Sequence, residues 1–152
     1  MEIRQDDPTA PYVADLLAYH LAELQSVMGE HAQALDASGL SAAAVTFWTA
    51  WQGDALLGFG ALKQLDDTRG EVKSMRAAPA ARGTGVGRSI LHHIIAEARN
   101  RGYAQLSLET GTAALHAPAI SLYRSAGFVS CEPFADYQAS PHNQFMKLDL
   151  AN

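Results

Sequence analysis

The chain has 152 residues, 48% of them apolar, and a formal net charge of −5. That length fits one domain over residues 1–152 with a sizeable core, and the acidic balance argues against a nucleic-acid partner. The longest apolar stretch, around Leu40 to Trp51, is interrupted by Ser41, Thr46 and Thr49 and is too short to cross a bilayer.

The opening Met1-Glu2-Ile3-Arg4-Gln5-Asp6-Asp7 lacks the basic and apolar segments of a secretory signal. Cys131, the single cysteine, permits no internal disulfide and reads as a buried filler. The expectation is a cytoplasmic protein without a membrane partner.

Taken in order, Glu2 to Gln5 reads as a first strand ending at the Asp6-Asp7-Pro8 turn. Residues 11–28 follow as a helix, with Val13, Leu16, Leu17, Leu21, Leu24 and Met28 at three- and four-residue spacing and Gly29 as the stop. Residues 30–39 are ambiguous; Ala32, Leu35 and the Ala37-Ser38-Gly39 breaker suggest a second short helix. The period then changes. Val45 to Trp51 is rich in β-formers, Gln52-Gly53-Asp54 reads as a hairpin turn, and Leu56 to Leu65 is the next strand, with Gly58 and Gly60 inside it. After the turn at Asp66 to Gly70, Glu71 to Ala77 completes an antiparallel meander. This is unlike a Rossmann domain, in which strands and helices alternate from the start.

The strand stops at Pro79, and Arg82-Gly83-Thr84-Gly85-Val86-Gly87-Arg88-Ser89 leads directly into an amphipathic helix carrying Val86, Ile90, Leu91, Ile94, Ile95 and Ala98. Glycines at every second position let the backbone take positive φ and admit a ligand close to the main chain, where N–H groups and the helix dipole favour an anion. A phosphate is the natural occupant. A Walker loop fails on spacing, because Arg82 and Arg88 stand where Gly and Lys are required, and the dinucleotide fingerprint fails because its third glycine comes one residue early.

Charge follows the same division. Ten acids face only Arg4 and Lys63 in residues 1–67, whereas Lys73, Arg76, Arg82, Arg88, Arg99 and Arg101 outnumber Glu71 and Glu97 in residues 70–101. A polyanionic cofactor at the loop and a cationic acceptor near the N-terminal part would suit this asymmetry; solvated acidic helices are the alternative. Beyond the helix, Gly102 is the stop and Ala104 to Thr110 the strand of a βαβ unit. Pro118 opens a last helix that ends at Gly127, and strands at Phe128 to Glu132 and Gln144 to Leu150 close the chain.

The segment Arg82-Gly-x-Gly-x-Gly87, following a strand and Pro79, resembles the pyrophosphate-binding segment of the GNAT superfamily of acyl-CoA N-acetyltransferases. Ala119-Ile120-Ser121-Leu122-Tyr123-Arg124-Ser125-Ala126-Gly127-Phe128 resembles the A-I-x-L-Y-x-x-x-G-F signature near the end of such domains. The resemblance covers most of residues 45–150. It implies an α+β, three-layer fold: a mixed, mostly antiparallel sheet of six to seven strands, with helices on both faces and a parallel pair splayed at the CoA site.

The same resemblance implies roles. The amides of Arg82, Gly83, Thr84, Gly85, Val86, Gly87, Arg88 and Ser89 would hold the diphosphate of acetyl-CoA. Met75, Arg76 and Ala77 would line its pantetheine, with the Ala77 N–H or a neighbour as oxyanion donor. His116 stands where the family often has an asparagine that contacts CoA. Tyr123 would protonate the leaving sulfur: a phenol with a pKa of about 10 keeps its proton at neutral pH, beside a thiol of about 8.5.

Glu71 is the candidate base for an ammonium near about 10.4, acting through a water, with Glu109 in reserve. Six residues separate Glu71 from Ala77, so in a regular strand both point to one face. At each of these positions the alternative is structural: a core aromatic at 123, a solvent-facing glutamate at 71 and solvated arginines at 82 and 88. The expected acceptor is a small-molecule amine; a protein or peptide substrate, or a non-catalytic acyl-CoA-binding module, are the alternatives. Tyr19, His20, Glu23, Trp48 and Phe134 to His142 are candidate walls for it. The histidines show no metal-ligand spacing, so no metal is expected, and the chain is read as a monomer or homodimer.

Overall fold

A computed structural model describes residues 1–29, 32 and 34–150. Seven strands form one sheet in the order β1-β2-β3-β4-β5-β7-β6: β1 Glu2–Gln5, β2 Val45–Gln52, β3 Ala55–Gln64, β4 Arg69–Ala77, β5 Gln105–Gly111, β6 Val129–Ser130 and β7 Asn143–Asp149. Every neighbouring pair is antiparallel except β4 with β5. The mixed sheet expected from the sequence is therefore present. Its closing strand is shorter than Phe128 to Glu132: Val129 and Ser130 stand in register with β7, and one further hydrogen bond runs from the Cys131 N–H to the Phe145 carbonyl before the chain leaves the sheet.

Helix α1, Pro11–Met28, starts with proline in its first turn and stops at Gly29, whose φ of 54° suits a residue without a Cβ. Val13, Leu16 and Leu17 pack it on Phe47, Phe59 and Ala61 of β2 and β3. The next helix, α2, covers Ala37–Leu40, where Asp36 accepts a hydrogen bond from the Gly39 N–H. It forms on the stretch read as a breaker, since this N-cap outweighs the weak helix propensity of Ser38 and Gly39. The remainder of the ambiguous segment includes residues 30, 31 and 33, which lie outside the described residues. On the opposite face lie α3, Val86–Asn100, and α4, Ala117–Ser125, the latter preceded by a 3-10 turn at Ala114–His116. Ile90, Leu91 and Ile94 are fully buried there with Leu106, Leu108 and Met146, each contributing roughly 1.5–3 kcal/mol of apolar burial. Cys131 is half-buried rather than interior.

One irregularity matters most. Along the β3–β4 ladder, Ala61 faces Lys73 but Phe59 faces Arg76, so β4 carries one extra residue where β3 has none. Ser74 sits at this bulge with φ 51°. The added residue reverses the alternation of side chains. Glu71, Lys73 and Arg76 consequently share the α1 face, while Ala77, paired with Gly58, lies on the α3 face. Glu71 and Ala77 do not point the same way, contrary to the expectation for a regular strand.

Gly58 guards this arrangement, because a Cβ there would stand 2.5 Å from the Arg76 carbonyl oxygen and 3.2 Å from Ile90 Cδ1. Gly58→Ala should therefore cost about 1–3 kcal/mol by pushing β4 aside. A lowered urea midpoint with an unchanged m-value is the expected readout.

Candidate active site

The parallel pairing of β4 with β5 runs only through Arg69↔Gln105, Gly70↔Leu106 and Glu71↔Ser107. Beyond these residues the strands part, and a cleft of about 920 Å³ opens between them. Its walls come from β4, β5, the glycine loop, α4 and the second half of α1. Ala78 gives its N–H to the Leu57 oxygen at 2.7 Å. Successive amides of an extended strand point to opposite edges, so the Ala77 N–H faces the gap.

At the glycine loop, Gly83 and Gly85 adopt φ of 77° and 90°, and a Cβ on either would meet no protein atom within 4 Å. Protein packing does not require these glycines; backbone conformation and open space for a ligand do. Gly87 differs, since its missing Cβ would touch Leu122 of α4 at 3.4 Å, which makes it a helix-packing glycine.

The amide cradle is narrower than the sequence suggested. Arg82 and Thr84 donate their N–H groups to the Pro79 and Ala81 carbonyls, and Ser89 donates to Gly85. The amides left for an anion are those of Gly83 and Gly85 through Arg88, at the N-terminus of α3. Thr84 and Val86 instead line a separate apolar pocket of about 380 Å³ beside Met1, Leu56 and Leu57.

Tyr123 lies on the cleft wall, nearly buried, with its ring edge-on to Phe128 at 5.8 Å between centroids. Burial pushes its phenol up to about 12. Its hydroxyl has no hydrogen-bond partner among the described residues. His116 is also buried, and burial, then the charge of Arg76, lowers the pKa of its imidazole. The ring lies against Gly111, where an added Cβ would come 2.3 Å from Nε2, and that nitrogen has no partner among the described residues.

On the α1 face, Lys73 Nζ donates to the Tyr137 hydroxyl at 2.7 Å and Tyr137 donates in turn to Glu71 Oε2 at 2.5 Å. Lys73 Nζ is also 3.4 Å from the same Glu71 oxygen. Burial and the adjoining Glu71 carboxylate raise the Tyr137 phenol far above its ordinary range. Glu109, whose register partner is Phe145, accepts a hydrogen bond from Asn143 Nδ2, and burial lifts its carboxyl above the usual value.

Arg76 is clamped by α1. Its Nε donates to His20 Nδ1 at 2.9 Å and its Nη1 to Glu23 Oε1 at 2.6 Å. Arg82 donates to the Tyr19 hydroxyl at 3.0 Å and lies 3.6 Å from Glu23 Oε2. Burial would raise Glu23, but hydrogen bonds from Arg76 and Tyr19 outweigh it and hold the carboxyl below its usual range.

The predicted residues thus converge, with corrections. Trp48 is no wall: it is buried in the core on the α3 side, edge-on to His93. Lys73 and Asn143 were not singled out as site residues, and Tyr137 only as part of the Phe134 to His142 segment. Lys73 could have been found from its two-residue spacing to Glu71, but Tyr137, from a long connection without a periodic signal, and Asn143, at the start of β7, meet Glu71 and Glu109 only through the tertiary fold. Among the described residues, no group of three or more His, Cys, Asp or Glu gathers as a metal site, and no helix is long and apolar enough to cross a membrane.

The parted strand pair, the glycine turn at the N-terminus of α3 and the Tyr123 ring all border one cleft. The chain belongs to the Acetyltransferase (GNAT) family, whose model matches residues 6–128. It is 48% identical over 149 residues to the Escherichia coli N-acetyltransferase YedL, itself uncharacterized, covering 97% of this chain and 94% of the relative. A Klebsiella pneumoniae protein assigned as an acyl-CoA N-acyltransferase superposes with a TM-score of 0.80 at 28% identity, covering 99% and 97% of the two chains. A Bacillus subtilis acetyltransferase solved with CoA shares the fold, with a TM-score of 0.71 at 19% identity and 99% of each chain covered.

His20 supplies a pH test. Burial, then the charge of Arg76, lowers its pKa from 6.5 to about 4. Between those values the unfolded chain binds the proton and the folded chain does not, so stability falls as pH drops through this window, by up to about 3 kcal/mol from this residue. His20→Gln should remove that component. Urea unfolding at pH 7 and pH 4.5 should then differ less for the variant than for the parent.

Proposed function

We propose that the protein moves the acetyl group of acetyl-CoA to the primary amine of a small molecule, by direct attack within a ternary complex. The parting of β4 and β5 carries this reading, because it leaves main-chain groups unpaired in line with the glycine cradle. The amides of Gly83 and Gly85 through Arg88 hold the diphosphate. The free edge of Met75, Arg76 and Ala77 pairs with the pantetheine amides as another strand would. His116 offers a ring nitrogen in place of the family asparagine. Bound acetyl-CoA supplies an activated thioester carbonyl.

The Ala77 N–H stabilises the negative charge that develops on that carbonyl oxygen. Tyr123 gives its proton to the departing sulfur. A phenol near about 12 is protonated throughout the neutral range, and a buried donor without another partner is available to a developing thiolate. Glu71 receives the proton of the acceptor ammonium through a water; Glu109, on the same face, is the reserve. The nearly complete burial of Glu71 behind Tyr137 supports a small acceptor over a polypeptide.

Tyr123→Phe should lower kcat by well over about tenfold, the usual span of general-acid contributions, while calorimetry finds acetyl-CoA binding unchanged. An undiminished kcat would end the acid assignment. Glu71→Gln should shift the acidic limb of the pH–rate profile; if the limb stays in place and Glu109→Gln moves it, the base is Glu109.

A further inference from the structure

We propose that the acceptor carries a carboxylate as well as its amine, and that Arg76 and Arg82 bind it. This rests on the acetyl-transfer reading above and deepens it by naming the substrate class.

The bulge at Ser74 delivers the Arg76 side chain to the face that holds Glu71, rather than to the α3 core. Two of its three nitrogens are spent on His20 and Glu23, leaving Nη2 without an acceptor among the described residues. Arg82 uses one nitrogen on Tyr19 and lies at ion-pair distance from the same Glu23, which leaves Nε and Nη1 without an acceptor among the described residues. Among the described residues, one carboxylate between two guanidinium groups leaves a positive charge over, and both arginines line the cleft.

His20 adds a neutral donor. Its Nδ1 accepts from Arg76, so the ring proton sits on Nε2. That N–H belongs to a cleft-lining side chain only 4% exposed, and it has no acceptor among the described residues. A buried donor costs stability until an acceptor reaches it. The α1 side of the cleft therefore presents unspent guanidinium donors and, among the described residues, an unbalanced positive charge, whereas Glu71 and Glu109 on the sheet present carboxyl groups to an ammonium. An amine bearing a carboxylate satisfies both ends, and guanidinium forks suit a planar carboxylate.

The test compares thiol release from acetyl-CoA by the purified protein with α-amino acids, their carboxamides and the corresponding amines lacking the carboxyl group. The acids should show kcat/KM higher by about tenfold or more, about 1.4 kcal/mol. Arg82 is 54% exposed, so Arg82→Ala should keep the fold. That variant should raise the acceptor KM and erase most of the preference for acids, with the calorimetric Kd for acetyl-CoA unchanged. Equal turnover of acids and carboxyl-free amines overturns this inference and leaves acetyl transfer standing. A variant weakened for acetyl-CoA and not for the acceptor also overturns it, assigning Arg82 to the diphosphate. Tight acetyl-CoA binding with no thiol release by any amine sinks the transfer reading itself.

Discussion

An extra residue in β4 is the constraint on which the site depends. Without the bulge at Ser74, a strand that begins with Glu71 and Lys73 toward α1 would turn Arg76 into the apolar layer around Ile90 and Ile94, where a guanidinium has no partner. With it, Arg76 meets α1 and Ala77 returns to the α3 face beside Gly58. The same distortion lies just past the last β4–β5 pair, so the side-chain reversal and the strand separation fall together. The candidate site is a local failure of regular sheet, placed where two strands would otherwise have paired.

Three elements then hold the gap open. Helix α1 pulls on β4 through the Arg76 clamp, α3 and α4 meet at Gly87 and Leu122 beneath the glycine loop, and the connection before β7 sends Tyr137 back over Glu71. Each contact joins segments far apart in sequence. The polar ones are largely shielded from water, where charge-assisted hydrogen bonds retain more of their strength than at the surface. The site is braced by the fold around it, which suits chemistry that needs fixed donors.

Regular elements were legible because their signals are local. The stripe from Val13 to Met28, the glycine spacing at 83, 85 and 87, and the Pro118 and Gly127 boundaries each encode conformation within a few residues. What could not be read depended on distant partners. The bulge leaves no mark in the Lys73-Ser74-Met75-Arg76 run, since only the register against β3 reveals it. Trp48 was misplaced because an aromatic β-strand residue does not disclose which side of the sheet it faces. The glycine loop was legible as a turn into a helix, but the commitment of the Arg82, Thr84 and Ser89 amides to nearby carbonyls was not. Glu71 and Glu109 were named from spacing and resemblance, while their companions Tyr137 and Asn143 arrive by tertiary folding alone.

The imidazole of His116 occupies the space that a side chain at residue 111 would need. These two positions, on β5 and just ahead of α4, cannot vary independently. A homologue with alanine at the first should carry a smaller or differently turned group at the second, and restoring the asparagine common in the family would open a small void over Gly111. The pair forms a covarying lock, and its state should tell which relatives share this version of the cleft wall.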